Sequence, residues 1–99
     1  QTKILEKAYK NELRIIDVRT KEEYKEGYIP TATLLSLDEI LKGHFLHLPK
    51  DMMIGVYCRT GRRSGIAKKA LKKAGYKVKN IGGIVSWKHE IVFPKKQDK

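Results

Sequence analysis

The chain reads as an α/β domain built on a parallel sheet, and three observations lead there. Compact apolar or β-branched runs, at Arg14–Val18 and Met52–Tyr57, alternate with segments that carry helix-capping residues. The connections between these runs are short, as in strand–helix–strand units whose helices return the chain to a neighbouring parallel strand. There is no repeat, low-complexity segment or interdomain linker, so residues 1–99 are expected to form one domain. Its core is expected to span about residues 12–92, followed by a charged tail over residues 94–99. A domain of this size buries roughly two-thirds of the surface its unfolded chain exposes.

Each element has its own signal. Residues 2–13 are polar and lysine-rich, with Ile4, Leu5, Tyr9 and Leu13 interspersed, and suit a short helix or an irregular lead-in. Arg14–Val18 is expected to be a buried strand, with Asp17 and Arg19 at its carboxyl end, where ligands gather in open α/β sheets. Thr20-Lys21-Glu22-Glu23 spells a capping box that opens a short helix, and Gly27 stops it. Thr33–Leu35 suits a short strand. Ser36-Leu37-Asp38-Glu39 spells a second capping box, for a helix over Leu37–Lys42 that ends at Gly43. His44 and His47 are spaced H-x-x-H but lack cysteine or carboxylate partners at metal-ligand spacing, so they read as loop histidines and no metal is expected.

Pro49-Lys50-Asp51 marks a turn before the strand Met52–Tyr57. A helix is predicted over Gly65–Ala74, N-capped by Ser64, with Ile66, Ala67, Ala70, Leu71 and Ala74 facing the core. Lys68, Lys69, Lys72 and Lys73 lie opposite that stripe, and Gly75 closes the helix. Tyr76–Ile81 alternates as a final strand. Gly82-Gly83 is expected to make a tight turn into a short helix holding Ile84, Val85 and the core residue Trp87.

Between the strand and the helix lies Cys58-Arg59-Thr60-Gly61-Arg62-Arg63-Ser64, which holds the only cysteine. A thiol there faces a helix N-terminus, whose unpaired N–H groups and dipole favour negative charge. The three arginines add full positive charges, which lower a thiol pKa. A cysteine near its ordinary pKa is only about 3% thiolate at neutral pH, whereas a shift of roughly two units makes it mostly thiolate. The arrangement is that of a nucleophilic sulfur. With no second thiol, the chain has no internal disulfide and no resolving cysteine, so a sulfur carried on Cys58 must leave to an outside acceptor.

This loop resembles the active-site loop of the rhodanese sulfurtransferases. The resemblance extends to Ile15-Ile16-Asp17-Val18-Arg19, Glu23-Tyr24, Gly27-Tyr28-Ile29-Pro30, Gly82-Gly83 and Trp87, in the family's order and spacing. It implies a rhodanese-like fold, with a central, mainly parallel sheet flanked by helices on both faces. It implies a thiosulfate sulfurtransferase, which moves a sulfane sulfur from thiosulfate or a similar donor to cyanide or a thiol through a persulfide on Cys58. Arg59, Thr60, Gly61, Arg62 and Arg63 would then bind the substrate. Arg59 and Arg62 are the candidates for the sulfonate, and Arg63 closes the loop. Asp17, Arg19 and Ser64 take supporting roles, and no cofactor is needed. The chain departs from the family pattern at Tyr28, where a histidine is usual, and at Thr31, where a glycine is usual.

Two other functions compete. A phosphatase or arsenate reductase would want five residues between cysteine and arginine. Here four precede Arg63, and Ser64 stands where that arginine would be. A persulfide carrier that docks on a protein donor or acceptor would keep Cys58 but turn over small donors poorly. The net charge of +11 suits anionic substrates, and the lysines read as a solvated surface, which favours small anions over nucleic acid. No apolar run approaches the ~20 residues of a membrane span. The compartment is expected to be the cytoplasm or, if Gln1 is a processed end, the periplasm or exterior.

Overall fold

The computed structural model describes residues 2–94. The residues of the expected tail from 95 onward lie outside it. Four strands, β1 (Leu13–Asp17), β2 (Thr33–Leu34), β3 (Met53–Cys58) and β4 (Val78–Gly83), form one sheet in the order β2-β1-β3-β4, every pair parallel. Four helices, α1 (Thr2–Tyr9), α2 (Lys21–Lys25), α3 (Leu37–Leu41) and α4 (Arg62–Lys73), alternate with them, and a 3₁₀ turn over Ile84–Ser86 follows β4.

The central strands are apolar on both sides because both faces of the sheet are covered. On one face Ile16, Val18, Ile54, Val56 and Val78 meet Ile40 of α3 and Ala67 and Leu71 of α4. On the other Leu13, Ile15 and Tyr57 meet Ala8 of α1, Ile29 and Trp87. The expected flanking of the sheet on both faces is therefore present, and Trp87 is core as expected. One helix residue departs: Ile66, assigned to the core stripe, is 45% exposed.

The strand order places the site. From β1 the chain leaves toward β2 on one side, and from β3 it leaves toward β4 on the other. The carboxyl ends of β1 and β3 therefore flank the crevice where the two directions of winding part, the usual ligand position in such sheets. Their register sets Asp17 beside Tyr57, and Cys58 beside Gly83.

Local signals behave unevenly. The Thr20 capping box forms in full, the Thr20 side chain accepting from the Glu23 N–H while the Glu23 carboxylate accepts from the Thr20 N–H. The Ser36 box forms only in half: Ser36 Oγ accepts from the Glu39 N–H at 3.4 Å, but the Glu39 carboxylate instead meets His44 Nδ1 at 2.9 Å. Gly82 and Gly83 do not make a turn after the strand; they are its last two residues. Val56 pairs with Asn80 but Tyr57 pairs with Gly82, so Ile81 is an extra residue, and this bulge bends the end of β4. Tyr28 stacks flat on Tyr24, ring centroids 4.1 Å apart. Thr31 takes the glycine's place at φ +72°, a left-handed conformation unusual for a β-branched residue.

Candidate active site

Cys58 is the last residue of β3 and is buried, and α4 begins four positions later at Arg62. The turn between them closes on the sulfur. The Gly61 N–H donates to Cys58 Sγ at 3.0 Å and the Ser64 N–H at 3.4 Å, while Ser64 Oγ lies 3.5 Å away. Gly61 supports this curl with φ +101°, which L-residues with a side chain rarely adopt. Burial, the largest single influence, pushes the Cys58 thiol up. Hydrogen bonds from the Ser64 hydroxyl and from the backbone N–H groups of Ser64, Gly61 and Thr60 together outweigh it, so the thiol is held below its ordinary value. The hydrogen bonds of the loop, whose N–H groups the sequence reading credited together with the arginines, do most to favour the thiolate, and Arg63 adds a charge interaction with Cys58.

Ser64 corrects the sequence reading. It is not the N-cap of α4: Gly61 is, without a side-chain cap, and the helix starts at Arg62 rather than Gly65. Ser64 instead lies in the first turn, fully buried, with its hydroxyl donating to Asn80 Oδ1 at 2.7 Å. Asn80 is a site residue that the sequence reading missed. Its Oδ1 also accepts from the Gly82 N–H at 2.9 Å, and its Nδ2 donates to the Gly61 carbonyl at 3.1 Å. One side chain thus joins the loop, Ser64 and the bulged end of β4. Its alternating position in a strand pattern gave no sign of this, because its partners lie 16 and 19 residues away.

Gly83 completes the floor. A Cβ there would run into the Arg59 carbonyl and approach the Thr60 Cα within 2.6 Å, so only glycine lets β4 pass so near the loop. The Arg59 carbonyl in turn accepts from the Val85 N–H at 3.2 Å.

The arginines divide. Arg63 points to α2, where its guanidinium forms two bonds of 2.7 and 2.8 Å with the Glu23 carboxylate. Glu23 is thereby held at about 2, Arg63 being the chief cause. Arg63 therefore braces the loop from outside. Arg59, Thr60 and Arg62 are exposed.

Asp17 and Arg19 form a buried layer below. The Asp17 carboxylate accepts two Arg19 Nε contacts at 2.9 and 3.0 Å, an Arg19 Nη2 bond at 2.7 Å and the Tyr57 hydroxyl at 2.8 Å. Arg19 also donates to the Gly27 carbonyl at 2.6 Å, and the Tyr57 oxygen accepts from the Ile29 N–H at 3.0 Å. Both charged groups are spent on neighbouring elements, which gives them a structural role. Tyr57 was not singled out as a site residue from the sequence; burial, then the Asp17 charge, raises its pKa and keeps its hydroxyl a donor. Among the described residues, no group of three His, Cys, Asp or Glu side chains is placed to hold a metal ion.

Fold and site together define an α/β protein that presents one thiol beneath backbone N–H donors at the switch point of a parallel sheet. A model of the rhodanese-like domain matches residues 1–90, and the chain belongs to that family. It is 37% identical over 82 residues to the thiosulfate sulfurtransferase PspE of Escherichia coli, covering 81% of this chain and 75% of PspE. It is 38% identical over 79 residues to the adenylyltransferase and sulfurtransferase uba4 of Ogataea parapolymorpha, covering 78% of this chain but only 20% of that protein. Among solved structures, a rhodanese-related protein from Thermoplasma volcanium superposes with a TM-score of 0.82 at 26% identity, covering 94% of each chain. A rhodanese with anions from E. coli gives 0.72 at 33% identity, covering 81% of this chain and 96% of the other.

Proposed function

We propose that the chain is a sulfurtransferase that takes a sulfane sulfur from thiosulfate, or a similar anionic donor, onto Cys58 and passes it to a thiol or cyanide. The Cys58 thiolate attacks the outer sulfur of thiosulfate. Sulfite leaves with the electron pair of the broken S–S bond, and a persulfide remains on Cys58. An acceptor thiolate or cyanide then attacks the terminal sulfur, and the departing electron pair restores the Cys58 thiolate, a two-step covalent scheme with ping-pong kinetics. The backbone donors of the loop hold negative charge on the sulfur through both steps. Arg59 and Arg62 attract the donor's sulfonate. No step requires a metal or organic cofactor.

The observation that carries this reading is Cys58 Sγ beneath two backbone N–H donors at 3.0 and 3.4 Å, in a loop with only four residues before Arg63. Two further features weigh against phosphoryl transfer. Arg63 is engaged with Glu23 outside the cradle, and Asp17, a carboxyl near the site, is bound by Arg19 and Tyr57. Neither is free to clamp a phosphoryl group or to protonate a leaving group.

The test is intact mass after incubation with thiosulfate. The wild-type protein gains about 32 Da, one sulfur atom, and loses it on adding cyanide, while Cys58→Ser gains nothing. Paired kinetics show thiosulfate:cyanide turnover in the wild type, none in a folded Cys58→Ser protein, and negligible hydrolysis of an aryl phosphate. Most of the turnover surviving in Cys58→Ser, or efficient phosphate hydrolysis, overturns the assignment.

A further inference from the structure

The positive charge of this chain is not spread evenly. Residues 52–89 contain ten lysines and arginines and no aspartate or glutamate, whereas the other 61 residues carry twelve cations against eleven acids. That segment delivers Cys58, α4 and β4, and an acid that meets it comes from elsewhere in the chain, as Glu23 meets Arg63. Its Arg59, Arg62 and Arg63 lie in the turn and first helical residues beside Cys58, and Lys68, Lys69, Lys72 and Lys73 continue along α4 away from the sulfur.

Part of this segment has a shape. Along the outer side of α4 a groove of about 530 Å³ is lined by Arg62, Gly65, Ile66, Lys68, Lys69, Lys72 and Asn80. Arg62, Ile66 and Lys69 follow at helical spacing, so a cation at the loop, an aliphatic side chain and a second cation lie in one row leading away from Cys58. Ile66 is 45% exposed within that row. Across the loop Val85, whose N–H is bonded to the Arg59 carbonyl, is 62% exposed. Asn80 belongs to both places, lining the groove while holding Ser64 and Gly61 at the site.

A small anion uses the loop and has no use for an exposed aliphatic side chain a helical turn beyond it, or for the cation that follows. We propose that this face of α4 docks an acidic protein sulfur acceptor, whose reacting thiol lies among carboxylates and beside an aliphatic side chain that packs on Ile66. The proposal rests on sulfur loading of Cys58 and names its acceptor. Charge complementarity sets the sign of the partner, and the exposed aliphatic gives it a desolvated anchor of the kind that carries binding energy at protein interfaces. A single-stranded nucleic acid would instead want aromatic platforms for its bases, and no aromatic side chain lines the groove. In the transfer step the acceptor thiolate bonds to the terminal sulfur of the Cys58 persulfide. The Cys58 S–S bond breaks, its electron pair returns to Cys58 as thiolate, and the acceptor leaves as a persulfide.

The probe is a pair of synthetic peptides with one cysteine beside a leucine, flanked by glutamates in one and by lysines in the other. Single-turnover discharge of persulfidated protein is followed by intact mass at low salt. The acidic peptide is expected to discharge it at least about 10-fold faster than the basic one, with electrostatic steering supplying the difference. In Ile66→Ala and in Lys69→Glu/Lys72→Glu that advantage shrinks several-fold, while discharge by a small thiol with no other charged group, 2-mercaptoethanol, keeps its wild-type rate. Equal rates for the two peptides, or an advantage untouched by both variants, overturns the proposal. So does an RNA oligonucleotide that binds α4 more tightly than the acidic peptide. Binding of the same acidic peptide with serine for cysteine, followed by shifts of the Ile66 methyl resonances, needs no persulfide. Loss of those shifts refutes the docking surface, whereas intact shifts with no sulfur on Cys58 refute only the sulfurtransferase reading.

Discussion

At the scale of single residues the site depends on who donates to Cys58 Sγ. Ser64 Oγ lies 3.5 Å from the sulfur but gives its one proton to Asn80 Oδ1 at 2.7 Å, so the hydroxyl donates to the thiolate only by turning from Asn80 to the sulfur as the thiol ionises. Removing it leaves the backbone donors of Gly61 and Ser64 in place but deletes one hydrogen bond to a charged group, worth about 1.5–3 kcal/mol. Because that turn gives up the bond to Asn80, Ser64→Ala is expected to raise the Cys58 pKa by about one unit at most, each unit corresponding to about 1.4 kcal/mol. Because the protonated thiol is inert, the acid limb of the rate of sulfur loading moves up in pH by the same amount. Titrating the ultraviolet absorbance of the thiolate, together with the pH profile of loading, checks both. A profile that does not move would mean that the backbone alone stabilises the thiolate.

At the scale of elements, the loop is held between β4 below and α2 at its side. Gly83→Ala puts a methyl group against the Arg59 carbonyl and the Thr60 backbone, neither of which can yield without moving the loop. The expected cost is about 1–3 kcal/mol, that of an overpacked site, with sulfur loading reduced far more than the folded fraction. Denaturant unfolding and loading kinetics on the same sample separate the two. The contact with α2 is pH-sensitive. Glu23 is held at about 2 by Arg63, below its unfolded value, so its contribution to stability is full above the unfolded carboxylate pKa and is lost as pH falls toward the folded one. Wild type should therefore lose stability between about pH 4.5 and pH 2, and Glu23→Gln should lack that part of the acid dependence. Denaturant midpoints across this window measure it. The β3–loop–α4 unit was legible in the sequence because its signals are local: an apolar strand, a turn glycine and an amphipathic helix. The roles of Ser64, Asn80 and Gly83 were not, because a bulge at Ile81 and partners far along the chain create them. Half of the Ser36 box failed for a related reason, since His44 competes for the Glu39 carboxylate.

At the scale of the whole molecule, the parallel α/β architecture followed from alternation of strands and helices, but the field around the site did not follow from the net charge. A total of +11 is compatible with scattered lysines; what matters is that residues 52–89 carry no carboxylate. β3 and β4 are neighbours in the sheet and α4 packs on both, so this segment brings its cations to one side of the sheet, with Arg59, Arg62 and Arg63 nearest Cys58 in sequence. A field of this kind raises the encounter rate of anions and is screened over about 8–10 Å at 0.1–0.15 M salt. The kcat/KM for thiosulfate should therefore fall as ionic strength rises, while kcat stays nearly constant because the groups around Sγ are buried. Arg59→Ala should raise KM and flatten the salt dependence, whereas Lys7→Ala on α1, an exposed cation outside residues 52–89, should leave both unchanged. Initial rates for the three proteins over a salt series decide it. Parallel salt curves for wild type and Arg59→Ala would show that Arg59 does not focus the field, and equal effects of Arg59→Ala and Lys7→Ala would show that only the total charge counts.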